Sequence, residues 1–370
     1  MRAYLLMIAI TAVVTFVATH FVIKVTRKYK IYPEIRSRDS HSVPTPRLGG
    51  IGMFIGFLVA MGIAASLGWF KSVFVQGGPI IGVLVAASII AILGALDDVF
   101  DLDWMLKLGG QFVAAGILAW NGVQIVSLPI GGITIGSYGM SFVVSVFLTV
   151  LIMNAVNFID GLDGLVAGVV LIGTSTFFAY SYLLAQQTTP SNYFSLASLI
   201  SAIVIGMCLG FLPHNWRPAK IFMGDSGALL LALLMTTSAV SVTGQLDPVF
   251  IAQSNLMPAF LPMILPLAIL VLPLLDFTLA VLRRLRAGKS PFAADRKHLH
   301  HRLQDFGHGH LGSVIVFYIW TLVISATCLL LFLAPYEWAA AFAIVGTAFA
   351  LLYTIWPVLS RKLQKEQVGK

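Results

Sequence analysis

The sequence predicts an all-α polytopic membrane protein of about eleven transmembrane helices, and three observations carry that prediction. Hydrophobic residues make up 58% of the 370-residue chain and charged residues only 10%. Mean hydropathy is +0.93, whereas a soluble domain carries about 25% charged residues. Apolar runs of spanning length recur from end to end, with the charges gathered between them. Length alone would divide such a chain into two or three soluble domains; the apolar runs instead make 1–370 one transmembrane domain.

A spanning helix needs about 20 mostly apolar residues. Candidates lie near 4–23, 50–69, 79–96, 106–120, 140–156, 164–185, 193–213, 226–243, 257–282, 313–334 and 338–357. The fourth and fifth fall below the usual length. Between them, GVQIVSLPIGGITIGSYG alternates β-branched residues around Gly-Gly, which predicts a small extracytoplasmic β-hairpin. The first run follows Arg2 and so resembles the start of a signal peptide. Lys24, Arg27, Lys28 and Lys30 follow it with no small-x-small cleavage site before them. It therefore reads as an uncleaved span with its N-terminus outside.

Alternating directions then place the C-terminus in the cytoplasm, with cytoplasmic loops near 24–48, 97–105, 155–164, 213–224 and 283–312. In that arrangement 21 of 23 Lys and Arg fall inside, all but Arg2 and Lys71, which satisfies the positive-inside rule. Of the Asp and Glu, 13 of 15 also fall inside, all but Asp247 and Glu337. Acidic residues do little to set orientation, so their clustering calls for a second cause. A polar working surface on the cytoplasmic face would supply it.

The net charge of +8 and pI near 9.5 do not indicate nucleic acid, since no extended soluble segment interleaves basic and stacking aromatic residues. Anionic headgroups are the better partner. Cys208 and Cys328 both sit in apolar runs, with no C-x-x-C motif, and read as small core residues.

Four polar stations lie on the inner face. GALDDVFDLDWMLK places Asp97 beside Asp98, with Asp101, Asp103 and Lys107 following. Adjacent carboxylates raise one another's pKa or demand a cation; a solvated acidic helix end is the plainer alternative. NAVNFIDGLDGLVAG supplies Asn154, Asn157, Asp160 and Asp163 at intervals of three, so that neighbours share a helix face. Gly161 and Gly164 then let the backbone turn or approach a ligand. RPAKIFMGDSGALLL sets Asp225 at the mouth of a span, where it could cap a helix, bind metal, or both. The last loop, RRLRAGKSPFAADRKHLHHRL, carries His298, His300, His301 and Arg302 among many cations. A transition-metal site is one reading of its histidines, but without cysteine and among so many cations, anion binding fits better. His308 and His310, further along, read as solvated. Asp276 lies inside an apolar run at a cost of roughly 2.5–3.5 kcal/mol at a span centre, so it should pair or bind ligand near the inner interface.

Oxygen-rich acidic stations beside a basic loop point to hard-cation chemistry on a phosphorylated substrate. Mg²⁺ takes one or two carboxylates, with phosphate and water completing its shell. No Walker loop or G-x-G-x-x-G motif is present, so an ATP-binding fold is not indicated.

With HSVPTPRLGG, DDVFD, NAVNFIDGLDGL, FMGDSG and HLHHRL in that order over about residues 40–305, the chain resembles the polyprenyl-phosphate N-acetylhexosamine-1-phosphate transferases, the MraY, WecA and TagO group. Any one of these motifs is weakly specific; all five in order are highly so. The resemblance implies a Mg²⁺-dependent enzyme, with Mn²⁺ as an alternative ion, that moves sugar-1-phosphate from a UDP-sugar to a polyprenyl phosphate and releases UMP. It implies catalytic roles for Asp97 and Asp98, with Asp97 favoured as the base acting on the lipid phosphate. It assigns Asn157 and Asp225 to the metal. Lys107, Asp160 and Asp163 fall at its phosphate and nucleotide positions, and Asn154 belongs to the same substrate-binding run. His298, His300, His301 and Arg302 match the loop that covers the sugar nucleotide.

TPRLGG and HLHHRL stand where the MraY branch carries TPTMGG and three histidines followed by Phe-Glu. These departures favour the WecA and TagO branch, hence UDP-GlcNAc and undecaprenyl phosphate, over UDP-MurNAc-pentapeptide. The product would prime a teichoic acid, O-antigen or similar cell-wall polymer. Relatives are often dimers, so a homodimer is a further expectation. Of the rivals, a transporter of phosphorylated solutes would place its site near the midplane and show internal repeats, neither of which the sequence displays. A non-enzymatic scaffold gives the acidic stations no reason to exist.

Overall fold

The computed structural model describes residues 1–31, 45–75, 77–125, 137–188, 194–243, 271–286, 288 and 299–368. Among the described residues it is helical throughout, with no strand. The helices are α1 (Arg2–Lys28), α2 (Gly49–Ser66), the short α3 (Lys71–Val75), α4 (Gly77–Phe100), α5 (Trp104–Trp120), α6 (Tyr138–Phe158) and α7 (Leu165–Thr188). Then come α8 (Leu196–Asn215), α9 (Gly224–Thr243), α10 (Val271–Arg286), the short α11 (Leu299–Asp305), α12 (His310–Leu333) and α13 (Tyr336–Val368).

Nine of these helices are long and apolar enough to cross a membrane among the described residues. The two remaining sequence runs are matched by α5, 17 residues long, and by α10, 16 residues long. The central part of the expected hairpin, 126–136, and the first part of the ninth expected span, 257–270, lie outside the described residues.

Several boundaries differ from the sequence reading, and each difference matters for the site. Helix α4 runs on to Phe100 and α6 to Phe158, so Asp97, Asp98 and Asn157 sit on helix ends rather than in loops. Helices persist because their last turns are capped. Asp101, at φ +54°, closes α4 in the left-handed conformation that Asp tolerates better than most residues, and its N–H reaches Asp97 O at 2.9 Å. Asp103 caps the next helix, its carboxylate accepting from Met105 N at 2.8 Å.

Helix α9 is the centre of the bundle: 89% of its span is buried, against 6% for the peripheral α13. It packs against α2, α4, α6 and α8, while α1 lies on α2 and α8 and α7 bridges α8 to α12. Lipid supplies no hydrophobic drive between helices, so close packing of small residues must hold them. On α1, Thr11, Thr15, Thr19 and Thr26 are all buried, and Thr15 and Thr19 meet Gly56 and Gly52 of α2. The same device grips the start of α9. A Cβ on Gly94 of α4 or Gly50 of α2 would overlap the Ser226 backbone, so only glycine lets both helices close on that turn. Cys208 and Cys328 are buried free thiols, as their apolar surroundings predicted.

Candidate active site

The first turn of any helix leaves N–H groups without intrahelical partners, and buried ones must find acceptors. At α9 those acceptors come from elsewhere in the chain. Asp225 N donates to Asp98 Oδ1 at 2.9 Å and Ser226 N to Asp98 Oδ2 at 3.2 Å. Ser226 Oγ adds a third bond to Asp98 Oδ2 at 2.8 Å. The N–H of Gly224 is directed at Asp160. Two carboxylates thus serve three consecutive backbone donors at the positive end of a helix, where negative charge is also favoured by the dipole. Asp225 is therefore not the cap of its own helix, as its position before an apolar run had suggested. Asp98 takes that part in trans, which frees the Asp225 side chain.

Gly224 sits at the joint with φ +70°, a left-handed conformation that glycine adopts at no steric cost. A Cβ there would overlap the Arg47 carbonyl and the Asp98 carboxylate. The segment before α2 lies alongside: Phe222 N donates to Pro46 O at 2.8 Å, Gly49 N to Phe222 O at 3.1 Å and Gly50 N to Met223 O at 3.0 Å. The TPRLGG and FMGDSG motifs are thereby one structural unit.

The freed Asp225 carboxylate gathers the remaining groups. Its Oδ1 accepts from Asn157 Nδ2 at 2.8 Å, and its Oδ2 forms a close ion pair with Lys107. The Lys107 ammonium also lies 3.2 Å from Asp97 Oδ2. Asp97 is held in turn by its Oδ1, which accepts from Leu102 N at 3.1 Å. One cation is therefore drawn between two carboxylates contributed by α4 and α9.

Asp160 lies beside this centre, in the turn between α6 and α7. Burial raises its carboxyl to about 7 from an ordinary 3.8, and the neighbouring Asp98 charge adds to the rise. Arg47 and the Gly224 N–H pull the other way. Asp163 is buried and its Oδ2 accepts from Ala219 N at 3.2 Å. Asn215 completes that clamp, accepting from Gly164 N at 2.9 Å and donating to Ile221 O at 3.0 Å.

Two expectations change. Neighbours in the series Asn154, Asn157, Asp160, Asp163 share a helix face only as far as Asn157, because α6 ends at Phe158. Asn154 is instead spent on a contact between helices, donating to Gln111 Oε1 at 2.5 Å and to Val150 O at 2.8 Å. His308 is buried rather than solvated, its Nε2 2.9 Å from Thr354 O; His310 is half-buried. His298 lies outside the described residues, as do the side chains of His300 and His301 on α11; Arg302 is exposed.

Sequence reasoning missed Arg47, Gln111, Asn215 and Tyr318. The first sits within a quoted motif and carried its own signal as a cation facing an acidic station. The last had none: Tyr318 lies in an apolar run, yet its hydroxyl donates to Gly164 O at 2.5 Å and its ring lies against Gly168. Tyr318→Phe keeps the ring and deletes one bond, worth about 1 kcal/mol. It should lower thermal stability in detergent by that order and slow turnover roughly fivefold; an unchanged melting temperature would show that the bond carries no weight.

The donor set fits a hard divalent cation. Among the described residues no three His, Cys, Asp or Glu side chains form a ready-made metal cage. What converges is one Asp225 carboxylate, the Asn157 carboxamide and a lysine ammonium already neutralising that charge. Mg²⁺ in phosphoryl-transfer sites uses one or two protein carboxylates and fills the rest of its shell from phosphate and water.

Known proteins match nearly the whole chain. The model of Glycosyl transferase family 4 matches residues 80–243, which include every acidic residue of the centre. The chain is 36% identical over 358 residues to the decaprenyl-phosphate N-acetylglucosaminephosphotransferase of Mycobacterium leprae, covering 95% of this chain and 89% of that protein. It is 32% identical over 325 residues to the probable undecaprenyl-phosphate N-acetylglucosaminyl 1-phosphate transferase of Bacillus subtilis, covering 87% and 83%. With the undecaprenyl-phosphate alpha-N-acetylglucosaminyl 1-phosphate transferase of Escherichia coli K12 the figure is 28% over 297 residues, covering 78% and 72%.

Proposed function

This chain belongs to Glycosyl transferase family 4, among the polyprenyl-phosphate N-acetylglucosaminephosphotransferases, and from that premise we propose the reaction its site carries out. The enzyme transfers N-acetylglucosamine-1-phosphate from UDP-GlcNAc to a membrane polyprenyl phosphate of the undecaprenyl or decaprenyl class. An oxygen of the lipid phosphate forms a bond to the sugar-bearing phosphorus, the anhydride bond to the UMP phosphate breaks, and UMP leaves with the bridging oxygen. One phosphoanhydride replaces another, so the step is near balance.

The observation that carries this reading is the Lys107 ammonium drawn between Asp97 and Asp225 where α4, α5 and α9 meet. Phosphoryl transfer asks mainly for positioning and charge neutralisation, and this centre has a cation, two carboxylates and a carboxamide aligned for both. Asp225 and Asn157 would hold Mg²⁺, which supplies neutralisation of the diphosphate oxygens. Asp97, oriented by Leu102 N–H and Lys107, receives the proton of the lipid phosphate where one is present. The three hydrogen bonds that Asp98 accepts among the described residues all come from α9, so its part is to place Asp225. Asp160, Asp163 and the His298–Arg302 segment receive the nucleotide and its diphosphate, with Arg284, buried and 5.3 Å over the Phe158 ring, adding positive charge beside α6.

The clustering of charge in the inner loops supports eleven spans, an outer N-terminus and a site open to the cytoplasm of a bacterial plasma membrane. The same resemblance carries over a homodimer and a product that primes a cell-surface polysaccharide. Purified protein given labelled UDP-GlcNAc, polyprenyl phosphate and Mg²⁺ should release UMP and form labelled lipid. Chelation with EDTA should stop transfer, and Mg²⁺ or Mn²⁺ should restore it. Absence of transfer with every UDP-N-acetylhexosamine tried would overturn the assignment.

A further inference from the structure

Asp276 is a buried carboxylate, 2% exposed, in the middle of the apolar α10. Such a group is costly in a membrane helix and persists where it is paired or has a task. Its Oδ1 accepts the backbone N–H of Leu299 at 2.8 Å, across 23 residues of chain. Leu299 is the first residue of α11, and the three residues behind it are His300, His301 and Arg302. The rest of that short helix is fastened as well. Leu303 is 3% exposed in the core, and His308 closes the far side against Thr354 O of α13 with its ring 5.7 Å from Tyr353. Helix α10, in turn, packs on α6, whose last turn carries Asn157.

We infer that Asp276 is a positioning residue for the sugar-nucleotide donor: by accepting the Leu299 N–H it fixes where the His300–Arg302 turn begins relative to α6. This rests on the proposal that the histidine-rich segment receives the UDP-sugar, and it adds the group that sets the segment's place. The lipid phosphate meets the α4–α5–α9 centre, whereas Asp276 lies on α10 and holds the start of α11, so the two substrates should respond differently.

The test uses the full-length enzyme in detergent or nanodiscs, with KM measured separately for UDP-GlcNAc and polyprenyl phosphate. Removing a hydrogen bond to a charged group should raise the donor KM about tenfold or more in Asp276→Leu, with the lipid KM within about twofold. Asp276→Asn keeps an acceptor oxygen and should stay close to the native donor KM. Leu299→Pro deletes the same N–H from the other side, at a first helical position where proline is tolerated, and serves if Asp276→Leu does not fold. Because the Leu299–Asp276 bond can be lost only once, the double variant should show a donor effect smaller than the product of the two single effects. A native donor KM in Leu299→Pro, or equal rises in both KM values, would overturn the inference. Failure of the unmodified protein to transfer at all would instead remove the functional reading beneath it.

Discussion

Asp225→Ala should insert, fold and remain monodisperse, yet lose transfer by about a thousandfold or more, the order expected when a principal electrostatic group leaves a phosphoryl-transfer site. The expectation follows from connectivity. Among the described residues Asp225 is the one carboxylate that touches both Asn157 and Lys107, and through Lys107 it communicates with Asp97. Removing it takes away the charge that would hold the metal and the partner that aims the lysine. Folding should survive, because the first turn of α9 is satisfied by Asp98 and Asp160 backbone contacts rather than by the Asp225 side chain. A Mg²⁺ titration of residual activity should show no saturation in the range that saturates the native enzyme. Normal turnover, or native Mg²⁺ dependence, would take Asp225 out of the metal site.

Asp98→Ala should fail differently. Three donors of α9 lose their acceptor at once, and each buried donor left unsatisfied costs about 1–3 kcal/mol. Some of that is recovered by relaxation, so a loss of about 2–4 kcal/mol in stability is expected, visible as a lower melting temperature and as early proteolysis. Asp98→Asn separates this role from acid–base chemistry. Its one carbonyl oxygen can keep the Asp225 N–H and its amide can donate to Ser226 Oγ, but the Ser226 N–H, which Asp98 takes on its other oxygen, then loses its acceptor. Stability should therefore return part of the way to native in Asn and not in Ala. If both variants melt like the native protein, Asp98 does not hold the helix.

The membrane architecture and the acidic stations could be read in the sequence because both are written in local pattern. Apolar runs mark helices whatever their neighbours, and Asp97, Asp98, Asn157, Asp160 and Asp225 stand out as polar groups where lipid-facing chain should be apolar. What could not be read was which of them spend their charge on structure. Asp98 and Asp97 are adjacent and chemically identical, yet one serves the backbone of a helix 127 positions away and the other closes the turn at Leu102. That division arises only when α4 and α9 meet. Asn154 looked like part of the site for the same reason: a period of three continues past the end of α6 in sequence but not in space. Tyr318 and Gln111 are the converse, partners chosen by packing of distant helices and carrying no local signal.

The grip of Asp98 on the start of α9 also bears on how the protein is made. Four helices, α5 to α8, must be synthesised between the carboxylate and the backbone groups it serves. Until α9 leaves the insertion machinery, Asp98 lacks the N–H groups it serves, Lys107 lacks Asp225, and no place exists for a diphosphate. Catalytic competence is therefore a late event in biogenesis, coupled to arrival of the most buried helix of the bundle. A chain arrested before that point would be inserted, partly packed and inert, so half-made enzyme could not consume lipid carrier.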